Sequence, residues 1–255
     1  MSARPTISVV VPYFGSEATI AACIESLLAQ EGVDRGEVEL IFIDNGSPDA
    51  SAAIVSRYPE LITLREEQPG AYAARNAGIR RARAPIIAFT DADCVPDRDW
   101  LRSILGGMVD ERTAVVVGHC RYPDEATWAL RLLGSYENAK TAYVLGRCPP
   151  ANHFAYANNM AVRASVFEQI GTFETWRRAG DSELVHRLAL KRPDLRMVFA
   201  SDMRITHLEF LSVRQRIRRL SLYTQTNARI GTFRELSVFQ RLGVVGHWLV
   251  HRRVL

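Results

Sequence analysis

Two carboxylates, Asp91 and Asp93, follow the apolar run Pro85-Ile-Ile-Ala-Phe-Thr90 at a spacing of i, i+2. A buried strand that ends in such a pair delivers two hard oxygen ligands into one loop. That suits Mg²⁺ or Mn²⁺ bridged to a diphosphate, because Mg²⁺ usually takes only one or two protein carboxylates. The competing reading is an Asx-turn that caps a helix beginning near Asp97. A third carboxylate, Asp181, opens a segment with Leu184, Val185 and Leu188 on one helical face. There it is either a first-turn acid favoured by the helix dipole or a general base. His207 follows a short strand, Arg204-Ile-Thr206, and a histidine in that position is either a structural residue or a ligand.

The elements that position these groups follow from periodicity. Apolar, β-branched runs at Ile7 to Val11, Val38 to Ile43, Leu61 to Leu64 and Pro85 to Thr90 read as buried strands. Between them lie helical spacings: Ile20/Cys23/Ile24/Leu27/Leu28, then Ala50 to Tyr58, then Ala73 to Arg83. Alternating strand and helix predicts an α/β fold with a mainly parallel sheet and right-handed crossovers. Ligands of such sheets bind beyond the carboxyl ends of the strands, where Pro12-Tyr-Phe14-Gly15, Asp44-Asn45-Gly-Ser47 and Asp91-Ala-Asp93 all fall. Beyond Trp100 the pattern is mixed, with a strand at Ala114 to Val117, helices at Trp128 to Lys140, Ala164 to Ile170 and Asp181 to Leu190, and a strand near Met197 to Ala200. Residues 211–255 read as two basic helices separated around Gly231.

Six stretches stand in the order and spacing of the family 2 glycosyltransferases with the GT-A fold. They are Ile7-Ser-Val-Val-Val-Pro-Tyr-Phe14, Ile41-Phe-Ile-Asp-Asn-Gly-Ser47, Ala73-Ala-Arg-Asn-Ala-Gly78, Phe89-Thr-Asp-Ala-Asp93, Ala157-Asn-Asn-Met-Ala-Val-Arg163 with Gly171-Thr-Phe173, and Gly180-Asp-Ser-Glu-Leu184. The resemblance covers about residues 6 to 210. It implies a GT-A domain over 1–210, with a nucleotide-sugar half (1–95) and an acceptor half (96–210), followed by the basic extension 211–255. It implies that Pro12 and Phe14 lie beside the nucleotide base, and that Asp44 and Asn45 stand where the family commonly has two aspartates, one of them accepting a hydrogen bond from the base. Arg75 and Asn158 are implied to bind the nucleotide sugar. Asp93 is implied as principal metal ligand, with Asp91 at the ribose or outer shell and His207 on the metal or diphosphate. Asp181 becomes the base that deprotonates an acceptor hydroxyl, so that transfer inverts the sugar. The resemblance favours UDP over GDP or TDP in the donor.

Composition narrows the class further. The chain has 255 residues, 47% of them hydrophobic, with no low-complexity run, which excludes disordered and collagenous proteins. The run Ile7 to Val11 is too short for a signal core and no apolar stretch of about 20 residues occurs, which argues against secretion and membrane spanning. The four cysteines form no CxxC pair and fit a reducing cytoplasm. The near absence of lysine, only Lys140 and Lys191, suits a GC-rich bacterial genome. From Arg204 onward ten arginines face only Glu209 and Glu235. Interleaved with apolar residues, they suggest peripheral contact with anionic lipid or packing on a partner subunit, a homodimer included. Without stacking aromatics or a reader motif they do not suggest nucleic acid. Two rivals stand beside the transferase: a nucleotide-sugar-binding or membrane-associated protein without catalysis, and a haloacid-dehalogenase-type phosphatase, whose nucleophile motif Asp91-Ala-Asp93-Cys-Val95 resembles.

Overall fold

The structure is a computed structural model and describes residues 5–175 and 179–209. The expectation of two basic helices over 211–255 lies outside the described residues. The first half alternates as the periodicity predicts: β1 (Ile7–Tyr13), α1 (Ile20–Leu28), β2 (Val38–Asp44), α2 (Ser51–Val55), β3 (Ile62–Arg65), α3 (Ala71–Arg81) and β4 (Ile86–Thr90). The second half comprises β5 (Cys94–Pro96), α4 (Trp100–Gly107), β6 (Thr113–Arg121), α5 (Trp128–Arg147), β7 (Asn159–Arg163), α6 (Ala164–Ile170), α7 (Gly180–Lys191) and β8 (Arg196–His207).

All eight strands join one sheet in the order β3-β2-β1-β4-β7-β6-β8-β5. Strands β1 to β4 run parallel, β8 runs parallel to β6, and β7 and β5 run antiparallel to their neighbours, so the sheet is mostly parallel. β1, β2 and β4 are buried at every position because helices cover both faces. Val9 and Val11 join the core with Ile20, Ile24 and Leu27 of α1 and Trp100 of α4, whereas Val10 packs on the opposite face with Ala74, Phe89 and Leu184. Both cores draw on residues before and after position 95.

Three expectations are corrected. β3 is not a buried strand: it alternates half-buried and exposed residues because it forms the edge of the sheet. The segment Asn159 to Arg163, read only as a motif, is the strand that joins the two halves, pairing with both β4 and β6. The two short strands expected near Met197 and Arg204 are one strand, interrupted where the register jumps from Gly118↔Ala200 to His119↔Arg204. Such a bulge adds unpaired residues to one strand and bends it.

The sheet cannot lie flat. Four steps of chain from Thr90 to Cys94 reach about 14 Å, yet β4 and β5 are four strand spacings apart in the sheet, about 19 Å if flat. The sheet therefore curls, folding the loop that carries Asp91 and Asp93 over the ends of the central strands.

Asn159 secures the bulge at the centre of this curl. Its Nδ2 donates to the carbonyls of Met203 at 2.9 Å and His119 at 3.1 Å, and its Oδ1 accepts from the Trp100 indole at 2.8 Å. Gly118 makes this possible, because a methyl group there would overlap both the Met203 carbonyl and the Asn159 amide. Gly118→Ala is expected to cost about 1–3 kcal/mol of unfolding free energy, as overpacking of a filled core does. A denaturant midpoint equal to wild type would show that the bulge has no need of glycine.

Candidate active site

Two cavities open on the carboxyl rim of the sheet and meet at one loop. The smaller, about 200 Å³, is lined by Pro12, Phe14, Asn45, Ala71, Asp91 and Asp93. The larger, about 260 Å³, is bounded by Arg75, Asp91, Asp93, Asn158, Asp181 and His207, with α5 as its far wall. Asp91 and Asp93 thus border both. This is the topological switch point, since β1 continues outward to β2 and β3 while β4 lies on its other side.

In the smaller cavity Phe14 is 63% exposed, so it is not a core residue but a ring presented at the rim. Pro12 is buried beneath it, and the Tyr13 hydroxyl, pushed up to about 12 by burial and by the nearby Asp44, stays protonated. Asp44 does not face this cavity. It is buried and its Oδ1 accepts the Ser47 N–H at 2.9 Å, closing an Asx-turn. Asn45 lines the cavity, but its amide is committed: Nδ2 donates to the carbonyls of Glu66 at 2.9 Å and Gln68 at 2.8 Å, and Oδ1 accepts from Gly70 N–H at 2.7 Å. It pins the chain between β3 and α3 as a cavity wall, and its carbonyl oxygen, which holds the Gly70 N–H, keeps a second lone pair.

At the shared loop Arg75, buried on α3, forms an ion pair with Asp91 and lies over the Tyr72 ring at 5.4 Å. Asp93 faces His207, with Oδ2 3.7 Å from Nε2. The fold creates this contact by pairing β5 with the end of β8, where Cys94 stands opposite His207 and Leu208 N–H bonds the Asp93 carbonyl at 2.7 Å. Burial raises the Asp93 carboxyl above its usual range and the Asp91 charge adds to the rise, while His207 opposes it. A ligand atom each from Asp93, His207 and Cys94 lies within 4.8 Å of the others. The Cys94 thiol is held protonated by burial, however, and its proton points at Asp93 Oδ1 across 3.4 Å. A carboxylate oxygen and an imidazole nitrogen remain, a donor pair that fits Mn²⁺ and, through the carboxylate, Mg²⁺.

Asp181 sits in the first turn of α7, on the far side of the larger cavity, and is buried. It does not cap the helix, since that position belongs to Ala179 and no side chain bonds there. Its Oδ2 accepts the Ala157 N–H at 3.1 Å and its Oδ1 the Ser182 N–H at 2.9 Å. Burial raises its carboxyl, against the opposing effects of these two N–H groups, Arg75 and Tyr72. The chain reaches this point through a constrained passage. Asn76 grips the Phe173 backbone with both amide atoms, at 2.8 and 3.0 Å, and Ala179 takes a left-handed φ of 63°. A side chain at Gly180 would meet the Glu174 carbonyl at 2.9 Å. A strained non-glycine residue persists only where its surroundings over-determine it, and such residues gather at functional sites. Glu183 turns to Arg187 at 2.8 Å and supports the helix.

Sequence reasoning missed Tyr72, one helical turn from Arg75, and the α5 wall with Glu137, Asn138 and Thr141. For α5 a signal existed: those polar residues stand at i, i+1 and i+4 of one helix face.

A curled, mostly parallel sheet with carboxylates on this rim defines a GT-A-type fold. Known structures agree: the mannosyltransferase PcManGT from Pyrobaculum calidifontis in complex with GDP-Man and Mn²⁺ superimposes with a TM-score of 0.68 at 22% identity, over 89% of this chain and 65% of that one. Glucosyl-3-phosphoglycerate synthase from Mycobacterium tuberculosis in complex with Mn²⁺, UDP and phosphoglyceric acid gives 0.63 at 19%, over 89% and 79%. The sequence model of glycosyl transferase family 2 matches residues 8–171, and the chain belongs to that family. Glycosyltransferase AglE of Haloferax volcanii is 29% identical over 179 residues, 68% of this chain and 57% of that protein, so the chain spans little more than half the length of this relative.

Proposed function

We propose that this protein is a metal-dependent transferase that moves a sugar from a nucleoside diphosphate donor to an acceptor hydroxyl with inversion. The observation that carries the reading is the position of Asp91 and Asp93 on the border of both cavities, with Asp181 across the larger one. The donor base would stack on Phe14 in the smaller cavity. The modest volume there favours a pyrimidine, which UDP and TDP share, over guanine, and the order of UDP ahead of TDP rests on the sequence resemblance alone. Asp93 and His207 would hold the cation, Mn²⁺ or Mg²⁺, which when bound offsets charge developing on the departing diphosphate. Arg75 neutralises and orients Asp91, leaving Asp93 the freer carboxylate. Asn158 stands beside Ala157, whose N–H orients Asp181, and would bind the donor's sugar.

Asp181 would take the proton of the acceptor hydroxyl, whose oxygen then attacks the anomeric carbon. Both its oxygens are held in place by backbone N–H groups, and single displacement with inversion rests on the sequence resemblance together with the place of Asp181 in the cavity that Asp91 and Asp93 border. Membership of family 2 sets the phosphatase reading aside. Among the described residues no helix is long and apolar enough to cross a membrane. On sequence grounds alone the arginine-rich segment from 211 onward is assigned to an anionic lipid surface, with the domain peripheral at the inner face of the cell membrane.

The test is a thermal-shift screen of UDP, GDP and TDP with and without Mn²⁺. A ligand that binds only the folded state raises Tm by mass action, by about 2.7 kcal/mol of stability at 100 times Kd. UDP with Mn²⁺ is expected to give the largest rise, and no response to any nucleotide with Mn²⁺ would overturn the reading.

A further inference from the structure

The α5 wall of the larger cavity has no part in the chemistry above, yet it holds a carboxylate with one oxygen uncommitted. Glu137 is 7% exposed, and its Oε2 receives both the Lys140 ammonium at 2.6 Å and the Tyr156 hydroxyl at 2.8 Å. Among the described residues its Oε1 takes no hydrogen bond, and the residue lines the cavity. Oε1 is not one of the sealed, unpartnered polar atoms of the described residues, so it is reachable from the cavity and can accept a hydrogen bond from what enters it. The carboxylate is also firmly placed, because Lys140 is itself seated over the rings of Tyr136 and Phe154, at 5.7 and 5.2 Å. Its neighbours on the helix are engaged elsewhere. Thr141 donates to the Glu137 carbonyl at 2.8 Å, and the Asn138 amide pairs with both backbone groups of Cys120, at 3.0 and 2.7 Å.

The charge around the cavity limits what can enter. Asp93, Glu137, Asp181 and Glu209 line it, while Arg75 is engaged by Asp91. A phosphate or carboxylate on the acceptor would face like charge at Asp181 and Glu209, the Glu137 charge being offset by Lys140, whereas a neutral polyol offers the hydrogen-bond donors that carboxylates accept. Tyr122 and Tyr156 line the same wall, and a tyrosine combines an apolar ring face with a polar tip.

We propose that Glu137 is the acceptor-recognising residue. Its Oε1 accepts a hydrogen bond from a hydroxyl of a neutral, hydroxyl-rich acceptor, a glycosyl unit whose ring rests on the tyrosine wall. This deepens the transferase reading and rests on it. Glu137 binds and orients the acceptor, and the proton transfer stays with Asp181.

The experiment uses the full chain with UDP and Mn²⁺, titrated with methyl β-D-glucopyranoside, methyl β-D-galactopyranoside and methyl α-D-mannopyranoside, and separately with sn-glycerol 3-phosphate, read by saturation-transfer NMR. At least one glycoside is expected to bind saturably, and glycerol 3-phosphate is not. In Glu137→Gln the glycoside affinity is expected to fall about 10- to 100-fold, the range of a hydrogen bond to a charged group, with UDP affinity kept and Tm lowered by loss of the Lys140 ion pair. Nucleotide binding is measured first, so its absence marks failure of the transferase reading. With the nucleotide bound, three results overturn the present proposal: no glycoside binds, glycerol 3-phosphate binds as well as the best glycoside, or Glu137→Gln binds as wild type does. The comparison of glycosides with glycerol 3-phosphate needs only the wild-type protein, so a folding defect in the variant cannot hide the outcome.

Discussion

Asp181→Asn is expected to lower single-turnover transfer at saturating donor by about 10²- to 10⁴-fold, the contribution of a positioned general base, while donor binding persists. Asparagine keeps the size and one carbonyl oxygen, so Ala157 N–H or Ser182 N–H retains an acceptor, but it cannot take a proton. A purely structural first-turn acid would lose stability, because one of the two buried N–H groups loses its acceptor, and would leave the rate unchanged. A near wild-type rate would therefore leave Asp181 a structural residue and favour binding without turnover. The pH dependence supplies a second reading of the same residue. Burial raises the Asp181 carboxyl above its ordinary value, and the base works only when ionised, so the rate falls as pH drops through that raised value. Stability moves the other way. Between the unfolded and the raised folded pKa the native state binds more protons, so Asp181 adds stability as pH falls through its folded pKa and loses it as pH rises. The wild-type minus Asp181→Asn difference in Tm is expected to grow on the acid side, where the rate declines.

Removal of the cation, or of its main ligand, is expected to have an effect of similar size. Asp93→Ala, or wild type in excess EDTA, should lose about 10³-fold or more in transfer, corresponding to the several kcal/mol that a Lewis acid contributes. Without the cation the donor diphosphate would face Asp93 unscreened, Asp91 being paired with Arg75, so donor affinity should fall with the rate. The fold is expected to survive, because the Asp93 backbone carbonyl keeps its bond to Leu208 N–H and the side chain is part-exposed at the rim. His207→Ala is expected to weaken Mn²⁺ binding more than Mg²⁺ binding, since imidazole is the softer ligand of the pair. Full transfer in EDTA would remove the metal from the mechanism. An unfolded Asp93→Ala would show that the side chain holds the loop instead.

The sequence by itself determined the first half of the sheet and the rim on which the site lies. Runs such as Ile7 to Val11 and Ile86 to Thr90 are buried at every position because both faces are covered, and Ile20/Cys23/Ile24/Leu27 mark one buried helical face. Local periodicity carries that much, and with it the delivery of Asp91 and Asp93 to a loop beyond β4. What only the tertiary structure decided depends on partners remote in the chain. Asp44 and Asn45 are adjacent, yet one closes its own turn and the other pins the approach to α3, a difference set by the partners each meets, Ser47 for Asp44 and Glu66, Gln68 and Gly70 for Asn45, whose amide can donate as well as accept. His207 reaches Asp93 because the sheet curls far enough for β5 to pair with β8. Asp181 meets Ala157, and Glu137 meets Tyr156, across elements whose own patterns carry no trace of the contact. Side-chain period fixes which face of an element is buried, but register and curvature fix which distant residue it meets, and those arise only when the whole sheet closes on its helices.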